Sequence, residues 1–255
     1  MILVDTHSHI YLEEFDNDRQ EMLERAEKEG IRKILLPAID STTHGKMLSI
    51  SKQFPQLSWP MMGLHPCSVK ENYVQELGVI KDYLEKDRFI AVGEIGLDFY
   101  WDITFKDQQY DAFHKQIEWA LHYDLPIVIH SRNSIDECIS VVREHQNGEL
   151  KGVFHCFSGS IEQAKKIIGL NFYLGIGGVI TFKNSGLDKV MEHLTLENIV
   201  LETDAPYLAP VPFRGKRNEC SYLKFVVQKL AEIKKMNADE ITTITTSNAE
   251  KLFGL

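Results

Sequence analysis

The chain has 255 residues, of which 44% are hydrophobic and 25% are charged, as is typical of a globular protein. Its formal net charge of −9 argues against a protein that coats nucleic acid through a broad basic surface, but not against an enzyme that binds a few phosphates locally. No apolar run approaches the roughly 18 residues of a membrane span, and no signal-peptide pattern is found. We therefore predict a cytoplasmic protein without a membrane partner. The four cysteines contain no C-x-x-C pair, which favours reduced thiols over a disulfide framework or a structural zinc site.

Short apolar runs alternate with helical patterns along the whole chain. No repeat and no glycine- or proline-rich linker divides it, so we predict one domain over residues 1–255. The predicted strands are 2–5, 33–36, 59–63, 89–93, 127–130, 152–155, 172–176 and 199–202. The predicted helices are 15–29, 43–53, 73–86, 106–123, 134–146, 161–168, 186–194, 221–235 and 238–251.

This alternation predicts an α/β fold with parallel strands joined by right-handed crossovers. About eight such units in about 250 residues are typical of a (β/α)8 TIM-like barrel. The alternative is an open doubly wound sheet. However, the first strand-to-helix turn, "THSHIYLEEF", has no glycine-rich phosphate loop, and no G-x-G-x-x-G follows any predicted strand.

Histidines and acidic residues recur at the carboxyl ends of the predicted strands. In "VDTHSHI", alternate side chains of an extended chain point the same way, so two histidines can face one ion, although such a pair can also simply end a strand. In a barrel all these ends meet at one rim, where the active site of this fold lies. The rim residues are His7, His9, His65, Glu94, His130, His155 and Asp204. The other histidines, His44, His114, His122, His145 and His193, fall on predicted helices, where we expect solvated or core positions.

The number of these side chains points to more than one metal ion. A catalytic zinc typically takes about three protein ligands, whereas a two-ion centre with ions about 3.5–4 Å apart takes more if one carboxylate bridges them. Glu94 is the expected bridge, because its strand lies opposite the first and Gly93 and Gly96 allow close backbone approach. Imidazoles favour zinc, while carboxylates and phosphate substrates suit magnesium or manganese, so the sequence leaves the metal open.

Motifs along the whole chain resemble those of the TatD family of metal-dependent deoxyribonucleases, part of the amidohydrolase superfamily. These motifs are "DTHSH", "GLHP", "GEIGLDFY", "PIVIHSR", "FHCFSGS", "GGVITFK", "LETDAPYLAPVP", "RGKRNE" and the terminal "SNAEKLFGL". The resemblance implies a barrel with two divalent ions. By this resemblance, His7, His9, Glu94 and Asp204 hold one ion, and Glu94, His130 and His155 hold the other.

The implied activity is hydrolysis of phosphodiester bonds in DNA, from a 3′ end as the family suggests, with single-stranded ends as the expected substrate and RNA as a further one. Two cations make hydroxide available near neutral pH and neutralise charge on a phosphoryl oxygen. Asp204 is then placed to take a proton from the nucleophile and pass it to the leaving oxygen. His65 is left as a substrate-facing residue that contacts a phosphate or protonates a leaving oxygen.

Cations that are not ligands would bind the substrate. Arg132 follows His130 by two residues, and "RGKR" supplies Arg214, Lys216 and Arg217 after the eighth strand, where this fold often binds phosphate. A short basic run can also be only a solvated turn. The aromatic residues of the rim loops either stack bases or pack the loops; they are Phe99, Tyr100, Trp101 and Phe157.

Two positions depart from the family's usual "PVPHRGKRNEP". The chain reads "PVPFRGKRNEC", with Phe213 and Cys220, and we expect this to affect substrate range more than catalysis. Two other functions stay open. The barrel can hydrolyse another bond, such as the ester of a misacylated tRNA or a small cyclic amide, or it can be a non-catalytic protein stabilised by a metal, which the intact Glu94 and Asp204 disfavour. The sequence does not give the number of subunits.

Overall fold

Short buried strands alternate with helices throughout the computed structural model, which describes residues 2–255. The strands are β1 Leu3–Asp5, β2 Ile31–Leu36, β3 Ser58–Pro60, β4 Val92–Asp98, β5 Ile127–Arg132, β6 Gly152–Phe154, β7 Phe172–Ile176 and β8 Ile199–Leu201. The helices are α1 Arg19–Lys28, α2 Ser41–Gln53, α3 Tyr73–Lys86, α4 Lys106–His122, α5 Ile135–His145, α6 Ile161–Gly169, α7 Leu187–Glu192, α8 Leu223–Lys234 and α9 Ala238–Phe253.

All strand pairs are parallel, and the strands close into a barrel. Strands β1–β3 form one hydrogen-bonded group and β4–β8 form another. The two groups meet at two seams. Met62 pairs with Val92 at the first seam, between β3 and β4, and Ser8 pairs with Ala205 at the second seam, between β8 and β1. The backbone N–H of Thr6 also donates to the carbonyl of Leu201 across the second seam, at 3.0 Å. The predicted (β/α)8 barrel is confirmed.

The core has an inner and an outer part. One buried residue from each strand or its adjoining chain fills the barrel, and the end of α9 packs beneath them with Leu252 and Phe253. Alternate strand residues face outward and pack against the helices in a larger cluster. The inner residues are Val4, Leu35, Met61, Ala91, Val128, Val153, Tyr173 and Val200.

Strand β4 differs from its predicted position. It lies at Val92–Asp98 and not at the predicted 89–93, so Glu94 lies inside the strand and the prediction that it follows the strand is wrong. Glycines and acidic residues normally disfavour strands. Here the neighbouring β5 pairs with β4 as far as Asp98, with a bulge at Glu94, so long-range pairing overrides local propensity.

None of the helices in residues 2–255 combines the length and the apolar character that a membrane crossing requires.

Gly96 sets how closely β4 approaches β5. Its φ is +136°, and a Cβ at this position would lie 2.1 Å from the carbonyl oxygen of His130. We expect Gly96→Ala to lower the free energy of unfolding by about 3 kcal/mol, through a disfavoured backbone conformation and overpacking. Urea unfolding measures this. The matched control is Gly45→Ala in α2, where a Cβ meets nothing within 4 Å and should stabilise by about 0.4–1 kcal/mol. Wild-type stability of Gly96→Ala would contradict the packing described.

Candidate metal centre

The barrel brings the six predicted metal ligands to one rim. His7 and His9 lie just beyond β1, and Asp204 lies just beyond β8. The backbone N–H of Asp204 donates to the carbonyl of His7 at 2.9 Å, which joins these two loops across the seam. Glu94 comes from β4, His130 from β5 and His155 from the residue after β6.

Glu94 lies between two sets of imidazoles. Its Oε2 is 3.2 Å from Nε2 of His7 and 3.8 Å from Nε2 of His9. Its Oε1 is 2.8 Å from Nδ1 of His130 and 3.0 Å from Nε2 of His155. Each carboxylate oxygen therefore faces a different set of histidines, with His65 also 3.4 Å from Oε1.

Asp204 belongs to the first of these sets. Its Oδ1 lies 3.7 Å from Nε2 of His7 and 3.6 Å from Nε2 of His9. Groups of side chains whose donor atoms lie within 4.8 Å of one another could each hold a metal ion. These groups are His7–His155–Asp204, His7–His9–Glu94 and His65–Glu94–His130.

The far ring nitrogen of His9 has a partner that fixes its tautomer. The hydroxyl of Tyr11 donates to the carbonyl of Pro37 at 2.6 Å, so it accepts from Nδ1 of His9 at 2.9 Å. With hydrogen on Nδ1, Nε2 of His9 keeps the lone pair that a metal requires.

His130 and His155 are oriented by buried carboxylates. Nε2 of His130 lies 2.8 Å from Oδ2 of Asp98. Nδ1 of His155 lies 3.3 Å from Oε1 of Glu202. Glu94 faces the other nitrogen of each ring, so although burial acts to lower the pKa of His130 and of His155, the carboxylates on both sides raise it. A divalent ion bound at Glu94 would displace the proton from the nearer nitrogen, while the outer carboxylate keeps hydrogen on the nitrogen that it faces. Such outer contacts orient metal-binding histidines in proteins.

His65 presents an N–H group, and not a lone pair, to Glu94. The backbone N–H of Cys67 donates to its Nδ1 at 3.1 Å, so the neutral ring carries its hydrogen on Nε2. That nitrogen faces Oε1 of Glu94 at 3.4 Å. Burial acts to lower the pKa of His65, but its contacts with Glu94 and Cys67 together outweigh burial and the pKa is raised. His65 therefore offers a proton donor, although it lies among the candidate ligands.

The protonation states of His7 and Glu94 suit a divalent ion. Burial lowers the pKa of His7, and neighbouring His155 lowers it further, so the ring is neutral. Both its nitrogens are buried without a hydrogen-bond partner among residues 2–255, which is costly unless another group binds them. Burial acts to raise the pKa of Glu94, yet the surrounding histidines hold it well below its usual range. Neutral imidazole and ionised carboxylate are good metal donors, so His7 and Glu94 fit a metal ion, whereas His130 and His155 would release a proton on binding one.

Sequence reasoning missed Asp98, Glu202 and Tyr11. Asp98 has a readable signal, because it follows Glu94 by four residues in "GEIGLD" and so shares its strand parity. Glu202 stands two residues before Asp204 in "LETDAP". Nothing local marks Tyr11, whose partner Pro37 lies beyond a helix and a strand.

The basic loop after β8 divides into bound and free cations. The guanidinium of Arg217 donates to both carboxylate oxygens of Asp18, at 2.6 and 2.7 Å. This contact, with a second from Arg25, lowers the pKa of Asp18 to about 2. Arg214 and Lys216 are exposed and make no ion pair with residues 2–255. The Cζ of Arg214 lies 4.5 Å from the centroid of the Phe182 ring.

The predicted aromatic residues differ in exposure. Tyr100 and Trp101 are exposed at the rim, whereas Phe157 is buried in the core. Phe99 is partly buried and packs against the core cluster. Only the exposed pair is therefore accessible to a substrate.

The two departures from the family pattern have structural roles. The ring of Phe213 stacks on Tyr222, with centroids 4.2 Å apart, and also contacts Phe225. Cys220 is buried, with its Sγ 3.4 Å from the hydroxyl of Ser8. Phe213 therefore supports the basic loop through an aromatic cluster.

A parallel barrel whose carboxyl rim gathers histidines, a glutamate and an aspartate defines a class of metal-dependent hydrolases. The profile of the family described as "TatD related DNase" matches residues 4–254. The chain belongs to this TatD family.

Relatives extend over essentially the whole chain. The uncharacterized metal-dependent hydrolase YabD of Bacillus subtilis (strain 168) is 38% identical over 253 residues, covering 99% of each chain. The 3'-5' ssDNA/RNA exonuclease TatD of Erwinia tasmaniensis is 29% identical, covering 95% of this chain and 96% of its own. The crystal structure of YjjV, a TatD homolog from Escherichia coli K12, matches with a TM-score of 0.93 at 31% identity, covering 99% of this chain and 98% of that one. The protein is a metal-dependent hydrolase.

Asp98→Asn tests the orientation of His130. The amide nitrogen of asparagine can donate to Nε2 of His130, which moves the ring hydrogen to Nδ1 and removes the lone pair that faces Glu94. We expect metal affinity to fall about 10–100-fold, as for other outer contacts of metal ligands. Calorimetric titration of manganese into metal-stripped protein measures this.

Asp102→Asn is the matched control for that experiment. Asp102 lies on the loop that follows β4, but its Oδ2 pairs with Nζ of Lys70, at 2.8 Å. Its replacement should leave manganese affinity unchanged. If Asp98→Asn binds manganese as tightly as the wild type, the orienting role of Asp98 is refuted.

Proposed function

We propose that this chain hydrolyses phosphodiester bonds of DNA, removing nucleotides from the 3′ ends of single strands, with RNA as a further substrate. In this proposal residues 1–255 act as one hydrolase barrel. The relative named as a 3'-5' ssDNA/RNA exonuclease supports the substrate class. One observation carries the proposal. The rim combines a carboxylate, Glu94, whose oxygens face different sets of histidines, with an exposed cation, Arg132, two residues after His130.

We propose that the rim holds two divalent ions that share Glu94, each of them magnesium, manganese or zinc. The support is the division of the two Glu94 oxygens between two sets of histidines. When bound, such ions lower the pKa of water and offset negative charge on a phosphoryl oxygen. The first ion would be held by His7, His9, Glu94 and Asp204, and the second by Glu94, His130 and His155.

Asp204 is the proposed general base. Burial acts to raise its pKa, but the nearby imidazoles of His9, His155 and His7 bring it below its ordinary value. The ionised carboxylate can therefore accept a proton from the attacking water and return it to the leaving oxygen. The left-handed backbone of Asp204, with φ of +57°, is stabilised by its bond to the His7 carbonyl and aims the side chain at the rim.

His65 and the free cations complete the proposed substrate contacts. Nε2–H of His65 can donate to a phosphate or leaving oxygen, because its Nδ1 already accepts from Cys67. Arg132, Arg214 and Lys216 offer positive charge to the backbone of the substrate. The sequence predicts Arg217 among these contacts, but its guanidinium donates to Asp18, so we propose that it positions the loop.

A substrate panel tests the activity. Metal-stripped protein is reconstituted separately with magnesium, manganese and zinc, then assayed on labelled single-stranded DNA, duplex DNA, RNA and a simple phosphodiester. We expect stepwise shortening of single-stranded DNA from its 3′ end with at least one ion. Asp204→Asn should lower kcat by about 10²–10⁴-fold while KM changes little, as for loss of a general base. Failure of every ion to restore phosphodiester cleavage would refute the proposal.

The double variant Arg214→Ala/Lys216→Ala tests phosphate recognition. Each lost phosphate contact should raise KM for DNA and reduce the slope of log affinity against log salt by about 1. Kinetics over a range of salt concentrations measures both effects. Lys81→Ala/Lys86→Ala is the control, because these exposed lysines lie in α3, away from the rim, and pair with Glu85 and Asp82. Unchanged kinetics and salt slope in the first variant would favour hydrolysis of a different bond.

A further inference from the structure

Two large aromatic side chains are exposed on the loop that follows β4. Tyr100 is 52% exposed and Trp101 is 67% exposed. Their rings meet edge to face, with centroids 4.9 Å apart and planes at 86°. Neighbouring exposed aromatic rings often mark a binding surface, since burying them elsewhere would stabilise the fold.

A guanidinium lies over these rings. The Cζ of Arg132 is 3.8 Å from the Tyr100 centroid and 5.1 Å from the Trp101 centroid. Its side chain makes no ion pair with residues 2–255. Stacking therefore holds the guanidinium in place while leaving its N–H donors available to an anion.

Asp98 links this aromatic pair to the metal centre. Its Oδ1 accepts the backbone N–H groups of Tyr100, at 2.9 Å, and of Trp101, at 3.0 Å. Its Oδ2 contacts Nε2 of His130 at 2.8 Å. One buried carboxylate thus anchors the backbone of the aromatic loop next to a candidate metal ligand.

We propose that Tyr100, Trp101 and Arg132 form a subsite for the nucleotide next to the bond that is cleaved. Trp101 stacks on the base and Arg132 binds the neighbouring phosphate. This inference rests on the proposed nuclease function and explains a preference for single strands, because a paired base has no free face. It also predicts tolerance of all four bases, since every base offers a π-face to an aromatic ring.

Kinetics on paired substrates tests the stacking. On a short oligothymidylate, Trp101→Ala should raise KM about tenfold, whereas Trp101→Phe should stay close to the wild type. On the same strand with abasic residues at its 3′ end, Trp101→Ala and the wild type should have equal KM values. Ile103→Ala is the control, because Ile103 is 62% exposed on the same loop but has no ring.

Intrinsic fluorescence gives a readout that does not depend on cleavage. The chain has three tryptophans, and Trp101 is the exposed one, while Trp59 and Trp119 are partly buried. A phosphorothioate oligothymidylate should quench the fluorescence of the metal-loaded wild type and of Trp59→Phe and Trp119→Phe. The quenching should disappear in Trp101→Phe, although that variant retains its KM.

The outcomes separate this inference from the proposed function. If the wild type shortens DNA but Trp101→Ala keeps the wild-type KM, the subsite is refuted and the nuclease proposal stands. If the wild type cleaves no nucleic acid, the proposed function fails. Unchanged Trp101 fluorescence on addition of the oligonucleotide would then refute the subsite as well.

Discussion

The candidate site depends on the contacts between the buried Glu94 carboxylate and the imidazoles around it. A buried negative charge is costly unless opposite charge or hydrogen bonds surround it. In this chain its two oxygens face different pairs of histidines, His7 with His9 and His130 with His155. Such an arrangement is what a carboxylate shared by two cations requires. The barrel supplies it by bringing Glu94 of β4 together with the histidines that follow β1 and β6 and with His130 of β5 at one rim.

Three residues outside the set of candidate ligands contact these imidazoles and orient them. Tyr11 contacts His9, Asp98 contacts His130 and Glu202 contacts His155. Each contact is made to the ring nitrogen that is farther from Glu94. The tautomers therefore follow from the surrounding fold, and His65, which accepts a backbone hydrogen bond instead, has the polarity of a proton donor. Asp98 makes the most contacts of the three, because its carboxylate also accepts the backbone N–H groups of Tyr100 and Trp101.

The sequence predicted the barrel and the residues that meet at its rim because both follow from local patterns: apolar runs, helical periodicity and histidines at strand ends. It misplaced β4, since the acidic and glycine-rich "GEIGLD" reads as a loop until β5 pairs with it. The pairing of Arg217 with Asp18 joins residues far apart in the chain and has no local signal. Tyr11 was missed for the same reason. That the six rim residues hold two ions stays a prediction.

Diffraction from crystals grown with manganese tests the central claim most directly. Anomalous difference maps should show two peaks about 3.5–4 Å apart, as in two-ion centres. One peak should lie against Oε2 of Glu94 with His7 and His9, and the other against Oε1 with His130 and His155. A single peak, or two peaks that do not share Glu94, would contradict the account.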